Sequence, residues 1–220
     1  TQSLILPTDL SDPSQNALLI KRVHAKGKVI DGLVNNAGFG MPGRYVDSEW
    51  SAHEGSLDLM LMGPCELSRL VIPGMQERGF GNIMNVASLA GHLPGSKGHT
   101  TYAAIKSFLI KFSQSLNLEL ADDGIKVSAL CPQAVRTAMT AGGDGSGGVA
   151  GREGLLEPDQ LANTVMETLA EERFLVLPHP EVLTYMRRKT DDYDRWLAGM
   201  RRLQDRFEDI YRQRKDEQDS

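Results

Sequence analysis

The segment Gly81-Asn82-Ile83-Met84-Asn85-Val86-Ala87-Ser88 is followed, after a loop, by a long helix-forming run from Thr101 to Ala121. The first segment is a short, largely apolar run next to turn residues, which is typical of a buried strand. The second is long enough for more than five helical turns. Together they predict a strand followed by a helix, which is the repeating unit of a parallel sheet.

The same alternation runs along most of the chain. We predict further strands near Ser3–Leu6, Val29–Val34, Lys126–Cys131 and Phe174–Leu177, and further helices near Asp12–Ala25, Glu49–Glu77 and Pro158–Glu171. Strands that alternate with helices predict an α/β fold in which helices cover both faces of a parallel sheet. Ligands of such sheets bind where the strands end, at their carboxyl edge.

Catalytic residue types lie at that edge. Tyr102 and Lys106 are four residues apart on the predicted helix, so they share one face, and Ser88 follows a strand. A cation about 4 Å from a phenol, at an effective dielectric of about 20, favours the phenolate by about 4 kcal/mol. Tyr102 could then exchange protons near neutral pH while Ser88 holds a substrate oxygen. Alone, a Tyr-x-x-x-Lys pair is more often a solvated surface contact.

Three further short motifs follow one another along the chain: Asn35-Asn36-Ala37-Gly38, Asn85-Val86-Ala87-Ser88, and Pro132-Gln133-Ala134-Val135-Arg136-Thr137. With the Tyr102–Lys106 pair they resemble the short-chain dehydrogenase/reductase family. They are similar to its Asn-Asn-Ala-Gly turn, to the strand that ends on its catalytic serine, and to its Pro-Gly-x-x-x-Thr segment. The order of the four motifs makes the resemblance specific.

The resemblance implies a three-layer, doubly wound, Rossmann-like parallel sheet over residues 1–178, followed by a helical carboxyl-terminal extension over residues 179–220. It implies an NAD(P)-dependent oxidoreductase that interconverts a small-molecule ketone and a secondary alcohol, with NADP favoured and NAD as the alternative. By the same resemblance, the catalytic residues are Ser88, Tyr102 and Lys106. The implied cofactor contacts are Asp9, Leu10, Asn36, Ala37, Gly38, Tyr102, Lys106, Val135 and Thr137; as ordinary residues, Asp9 and Asn36 would be turn formers and Thr137 a helix cap.

The chain departs from the family pattern in three places. No Gly-x-x-x-Gly-x-Gly turn precedes Asp9, so we expect the first two strands, roughly 50 residues, to lie ahead of Thr1. Met60 stands where the family has a helical asparagine, and a methionine side chain donates no hydrogen bond. Gln133 stands where glycine is usual. The glycine-rich run at residues 142–148 resembles a flexible substrate lid more than a displaced phosphate loop.

Composition excludes several other classes. With 220 residues, 40% of them hydrophobic, the chain can bury one substantial core, and a net charge of -5 without a basic stripe argues against nucleic-acid binding. Cys65 and Cys131 lack the spacing of metal ligands and predict buried thiols in a reducing compartment. We expect a cytoplasmic protein without a metal site or a membrane span.

The carboxyl-terminal tail carries one apolar stripe, at Trp196, Met200, Leu203, Phe207 and Ile210. Such spacing predicts an amphipathic helix that packs over the chain's own sheet or substrate mouth, or against a partner subunit, with membrane attachment as a weaker alternative. We expect a homo-oligomer, either a dimer or a tetramer.

Two questions about function stay open at this stage. Leu93, Pro94, Met139 and the tail could line an apolar pocket for a ketone or an oxoacyl compound, whereas His92 and His99 favour solvated loop positions over substrate contact. The competing class is a non-catalytic binding or scaffold protein that kept the fold and lost cofactor capture. An epimerase or dehydratase using the same Tyr–Lys pair is a further alternative, although such relatives usually carry a larger carboxyl-terminal domain.

Overall fold

The computed structural model describes residues 3–40, 44–93, 99–137, 155–202 and 204–205. The strands are β1 (Gly32–Asn35), β2 (Gly81–Val86), β3 (Ile125–Leu130) and β4 (Leu175–Val176). The helices are α1 (Pro13–Ala25), α2 (Trp50–Leu57), α3 (Gly63–Arg78), α4 (Thr100–Glu119), α5 (Pro158–Ala170), α6 (Glu181–Asp191) and α7 (residues 193–202). A π-helical turn, Asp58–Met62, joins α2 to α3.

The four strands form one parallel sheet in the order β1-β2-β3-β4. The register pairs Asn35 with Asn85 and Val86 with Leu130, so the carboxyl ends of the first three strands are level. Polar residues that follow these strands therefore meet at one edge. The predicted α/β class is confirmed.

Helices cover the sheet in two layers. Ile83 and Val127 face α1, α3 and α4 in a core cluster that includes Met75. On the opposite face, Met84 and Leu130 pack against α5. Because neighbouring residues of a strand point to opposite faces, this assignment follows from the parity of the residue numbers. The predicted three-layer arrangement is confirmed.

Local sequence signals start the helices that flank this core. The Asp12 carboxylate accepts a hydrogen bond from the backbone N–H of Ser14 at 2.9 Å, and Pro13 occupies the first turn of α1. At α5, Pro158 again occupies the first turn, next to a capping box of Glu157 and Gln160. Polar side chains thus satisfy backbone groups that a helix start leaves unpaired.

The predicted strand at Ser3–Leu6 is wrong, because residues 3–9 form no regular structure. Among the described residues, β1 pairs only with β2, so its other edge offers no ladder in which residues 3–9 take part. A strand needs a paired neighbour to satisfy its backbone groups. The apolar side chains of Leu4 and Leu6 instead line a cavity beside β1.

The carboxyl-terminal helices pack against the loop that follows Ser88. The Lys189 ammonium donates to the carbonyl oxygen of His92 at 2.7 Å and lies 5.1 Å from the centroid of the Trp196 ring. Trp196 is buried, as is Val182 on α6. Of the alternatives for the tail, the described part packs over its own chain; Leu203, Phe207 and Ile210 lie outside the described residues. No helix in the described ranges is long and apolar enough to cross a bilayer.

Candidate active site

The loop after β2 brings Ser88 against α4. Its side-chain oxygen accepts a hydrogen bond from the Ala90 N–H at 3.2 Å, which starts a short 3-10 turn over Leu89–Gly91. A Cβ atom at Gly91 would lie 2.7 Å from the carbonyl oxygen of Lys106. Glycine therefore allows this loop to approach the helix that carries Tyr102, which lies in the first turn of α4.

The hydroxyl groups of Ser88 and Tyr102 are hydrogen-bonded to each other. Burial of Tyr102 raises its pKa above the usual value, and the bond to Ser88 opposes this rise only in part. The pKa of Tyr102 is thus raised overall, whereas the sequence analysis expected Lys106 to lower it. The Lys106 ammonium lies 5.4 Å from the centroid of the phenol ring and donates to the carbonyl oxygen of Val86 at 2.6 Å.

Lys106 is a buried cation. Only 5% of the residue is exposed, and burial lowers the pKa of its amine to about 8. A pKa of about 8 leaves the amine mainly protonated at neutral pH. Below it, burial raises the pKa of the Cys131 thiol to about 12, so this cysteine is an uncharged part of the core.

One cavity lies at the carboxyl edge, and a second runs along β1 and reaches that edge. The first, of about 230 Å³, contains the candidate catalytic residues, and its lining also includes the predicted contacts Asn36, Gly38, Val135 and Thr137. The second, of about 390 Å³, lies beside β1 and includes Leu10, Asn36 and Ala37 in its lining. Asn36 lines both, so the two cavities meet at this residue.

Asp9 is the one predicted cofactor contact that lies outside the lining of both cavities. Its carboxylate accepts hydrogen bonds from the Ser11 hydroxyl at 2.6 Å and the Ser11 N–H at 3.0 Å, and the side-chain bond is the larger cause of its lowered pKa. Asp9 therefore has the geometry of a turn residue, which the sequence analysis gave as the alternative to a cofactor contact.

Met60 lies in the π-helical turn and is 1% exposed. Its sulfur lies 2.8 Å from the position that a Cβ atom would take on Gly38. The glycine of the Asn-Asn-Ala-Gly turn therefore makes room for the methionine side chain. Helical turns of this rare type often mark functional sites, and no residue pattern in the sequence indicated this one.

The two loop histidines are partly buried, whereas the sequence analysis favoured solvated loop positions for them. The His99 ring lies edge-on to Tyr102 with 6.2 Å between ring centroids. The His92 ring is about half-buried, and burial lowers its pKa. The His99 ring thus borders the site, whereas Pro94, Met139 and the glycine-rich run lie outside the described residues.

A buried polar network behind the site was not predicted. The Asn35 amide donates to the Asn85 side-chain oxygen at 2.8 Å, and the Asn85 amide donates to the Ser113 hydroxyl at 2.8 Å. These bonds tie β1, β2 and α4 together directly beneath the carboxyl edge. The presence of an asparagine in each of two apolar strands could have indicated this network, because buried amide groups need hydrogen-bond partners.

No group of three or more metal-ligating side chains in the described part of the chain is arranged to hold a metal ion. What the edge does present is a pair of bonded hydroxyls, a buried ammonium and an elongated space.

Comparison with known proteins identifies the family. The model of the family described as short chain dehydrogenase matches residues 1–144. Ketoacyl reductase HetN from Nostoc sp. is 30% identical over 184 residues, which cover 83% of this chain and 63% of that protein. The chain therefore spans less than two thirds of that relative's length.

Solved structures of short-chain dehydrogenases are similar to this chain in fold. A short-chain dehydrogenase from Sphingobium yanoikuyae in complex with NADPH has a TM-score of 0.71 and 29% identity, covering 88% of this chain and 72% of that chain. A short chain dehydrogenase/reductase from Burkholderia phymatum in complex with NAD has a TM-score of 0.74 and 27% identity, covering 86% and 75%. With its family model matched over more than half of its length, this chain belongs to the short-chain dehydrogenase/reductase family of oxidoreductases.

Proposed function

We propose that the chain carries the acid–base centre of an NAD(P)-dependent oxidoreductase that interconverts a ketone and a secondary alcohol. The observation that carries this proposal is the hydrogen-bonded pair of Ser88 and Tyr102 hydroxyls, in the wall of a cavity that also contains the buried cation Lys106. A proton donor, an oxygen-binding hydroxyl and a fixed positive charge are the groups that carbonyl reduction requires of a protein.

Tyr102 is the proposed proton donor. Because burial raises its pKa, the phenol keeps its proton at neutral pH, which is the form that can protonate a carbonyl oxygen as it gains charge. The Ser88 hydroxyl, bonded to the phenol, is placed to hold the same oxygen. In the direction of alcohol oxidation Tyr102 has to act as a base, so oxidation should accelerate as pH rises.

Lys106 is the proposed electrostatic partner. An ammonium group has three N–H donors, and the Val86 carbonyl uses one of them. When Tyr102 gives up its proton, the resulting phenolate lies beside a cation in a buried environment, where the attraction is stronger than in water. Lys106 therefore stabilises the state in which Tyr102 has lost its proton, and its charge opposes the rise in the Tyr102 pKa that burial causes.

A nicotinamide nucleotide fits the donors and the space at this edge. The two adjoining cavities provide an elongated site, with Asn36 at the junction and Tyr102, Lys106, Val135 and Thr137 around the smaller part. When bound, the nucleotide would supply or accept the hydride. Two structurally similar proteins bind NADPH and NAD, and we propose NADP as the first choice, with NAD as the alternative.

The substrate we propose is a small carbonyl compound. The smaller cavity, at about 230 Å³, has largely apolar walls next to the two hydroxyls, as in Ala87, Ala134 and Leu161. The Nostoc relative is named a ketoacyl reductase, which supports a ketone or an oxoacyl group as the reacting unit.

The test is a titration of the chain with NADPH and with NADH, followed by tryptophan fluorescence, and then a ketone-dependent loss of nucleotide absorbance. We expect saturable binding of at least one nucleotide, and turnover that is lost in Tyr102→Phe. Binding without turnover, unchanged by Tyr102→Phe, would support a non-catalytic binding protein. Binding of neither nucleotide would support the scaffold alternative.

A further inference from the structure

Residues 132–137 follow β3 and form part of the wall of the smaller cavity. They form neither a helix nor a strand, apart from an isolated bridge between Val135 and Leu156. A segment outside a helix or a sheet needs other hydrogen-bond partners for its backbone groups. Because Val135 and Thr137 are proposed nucleotide contacts, the conformation of this segment shapes the proposed nucleotide site.

Hydrogen bonds hold the segment at three points. At its start, the Pro132 carbonyl oxygen accepts from the N–H of Leu89, the residue after Ser88, at 2.9 Å. Toward its end, the segment pairs with the backbone of Leu156. Between these points, the Gln133 N–H donates to the Nδ1 atom of His179 at 3.2 Å. Of these contacts, only the one to His179 uses a side chain, so a substitution can remove it.

His179 is itself held in place between β4 and α6. The residue is 3% exposed, and its carbonyl oxygen accepts a hydrogen bond from the Val182 N–H at 3.1 Å. Val182, in the first turn of α6, is fully buried. The imidazole ring is thus attached to the core and provides a fixed acceptor for Gln133.

We infer that His179 is a positioning residue for the nucleotide site, because its Nδ1 atom fixes Gln133 and with it the segment that carries Val135 and Thr137. This inference rests on the proposed function and extends the nucleotide site to the start of the carboxyl-terminal extension. His179 lies outside the lining of both cavities, so it acts through residues 132–137 rather than by touching the nucleotide.

The hydrogen bond also determines what a replacement has to provide. Since the Gln133 N–H is the donor, Nδ1 of His179 is the acceptor, and the ring carries its hydrogen on Nε2. An asparagine at this position has a side-chain oxygen as many bonds from Cα as Nδ1 is, so it keeps an acceptor. A leucine has a similar size to histidine and has no acceptor.

The test is the Kd of NADPH and of NADH for the full chain, measured by tryptophan fluorescence in the wild type, His179→Leu and His179→Asn. Two controls accompany them. His24→Leu removes an exposed histidine of α1 whose Nδ1 contacts the carbonyl oxygen of Lys28 at 3.2 Å. Val127→Ala lowers stability in the core cluster of β3 without touching residues 132–137. Thermal melting sets a temperature at which every variant is folded.

We expect His179→Leu to raise the Kd of the nucleotide that the wild type binds by roughly tenfold, the effect of one hydrogen bond. His179→Asn should restore binding to within about threefold of the wild type, because it keeps the acceptor. His24→Leu and Val127→Ala should bind the nucleotide as the wild type does.

The inference is overturned if His179→Leu binds the nucleotide as tightly as the wild type, or if His179→Asn binds as weakly as His179→Leu. An equal loss of binding in Val127→Ala would also overturn it, because general stability would then explain the result.

A measurement on the wild type covers a variant that does not fold. An NMR coupling between ¹⁵N nuclei across the hydrogen bond should link the Gln133 amide to a histidine ring nitrogen, both without nucleotide and with saturating NADPH or NADH. A Gln133 amide that lacks this coupling, or loses it when the nucleotide binds, overturns the inference. Failure of the proposed function looks different, because the wild-type chain would then bind neither NADPH nor NADH.

Discussion

The two ends of the carboxyl edge differ in how they are built. At the catalytic end, β2 and β3 are paired on both sides, and Asn85 and Ser113 are fully buried and bonded behind Ser88 and Tyr102. At the β1 end, the strand pairs on one side among the described residues, Val34 is 61% exposed, and aliphatic side chains line a larger cavity. A hydrogen-bonded polar network supports the first end, whereas mainly apolar side chains line the second.

This difference separates the proposed chemistry from the proposed nucleotide binding. The catalytic groups are held by contacts within a short stretch of chain, so their positions follow from β2, α4 and β3. The proposed binding at the β1 end involves the loop at Leu10 and the Asn36–Gly38 turn, next to a strand that is paired on one side only among the described residues. Substitutions at the catalytic end should therefore act strongly and on chemistry, and those at the β1 end weakly.

The largest expected effect is that of Tyr102→Phe. Removing only the hydroxyl should lower turnover by about 10³-fold, since a positioned general acid contributes roughly 10²- to 10⁴-fold. Nucleotide binding and the melting temperature should stay close to those of the wild type. Steady-state kinetics checks this, with Tyr193→Phe on the exposed tail as the control. Turnover within tenfold of the wild type would remove Tyr102 from the mechanism.

The next effect concerns Lys106, whose pKa is lowered from 10.5 to about 8. Between these values the unfolded chain keeps the proton that the native chain has lost, so stability increases with pH in this window. The free energy of unfolding of the wild type, relative to Lys106→Met, should rise by about 3 kcal/mol from pH 8 to pH 10.5 and should be independent of pH well below 8.

Urea unfolding at several pH values measures this difference, and groups other than Lys106 cancel in the comparison of wild type with variant. Lys111→Met, on the exposed side of α4, should show no such dependence. A flat difference for Lys106→Met would mean that the amine is hydrated, and the catalytic end would then be as open as the β1 end.

A pair of valines compares the two ends directly. Val127→Ala in the core should lower the free energy of unfolding by about 2–3 kcal/mol, because Val127 is 2% exposed and its removal leaves a cavity. Val34→Ala on β1 should change it by less than about 0.5 kcal/mol. Denaturant titration of both variants is the check. A large loss for Val34→Ala would show that the outer face of β1 is covered in solution.

An effect smaller than that of Val127→Ala is expected at the clasp, which is the hydrogen bond between Lys189 and the loop after Ser88. Lys189→Met removes a charge-assisted hydrogen bond to the His92 carbonyl, and should lower the free energy of unfolding by about 1–2 kcal/mol and raise KM more than it lowers kcat. Arg188→Met, at an exposed neighbouring position, is the control for thermal melts and kinetics. Equal behaviour of the two variants would contradict a role for the clasp.

The strand–helix alternation was enough to predict the sheet and its edge, because period and composition act locally. The strands at β2 and β3 and the helices at α1, α4 and α5 were predicted within one or two residues. The strand at Ser3–Leu6 was not, since an apolar run becomes a strand only when a neighbour pairs with it. Strand pairing is a property of the assembled sheet, so it cannot be predicted from the sequence of a single segment.

For the candidate site, too, local motifs could be predicted from the sequence, whereas features that depend on tertiary contacts could not. The motifs placed Ser88, Tyr102 and Lys106 at one edge, and the structure brings all three to one cavity. The sign of the Tyr102 pKa shift could not be predicted, because the balance between burial and the Lys106 charge depends on where the ammonium donates its hydrogen bonds. The hydrogen bond between Gln133 and His179 and the π-helical turn at Met60 likewise arise from tertiary contacts.

The most direct test of the account is hydrogen–deuterium exchange of the full chain with and without saturating NADPH and NADH. Slower exchange is predicted in peptides that contain residues 36–38, 86–88 and 132–137, which border the two cavities, while residues 50–57 of α2 stay unchanged. Protection that is absent, or that falls only outside the carboxyl edge, would contradict the claim that this edge binds the nucleotide beside Ser88, Tyr102 and Lys106.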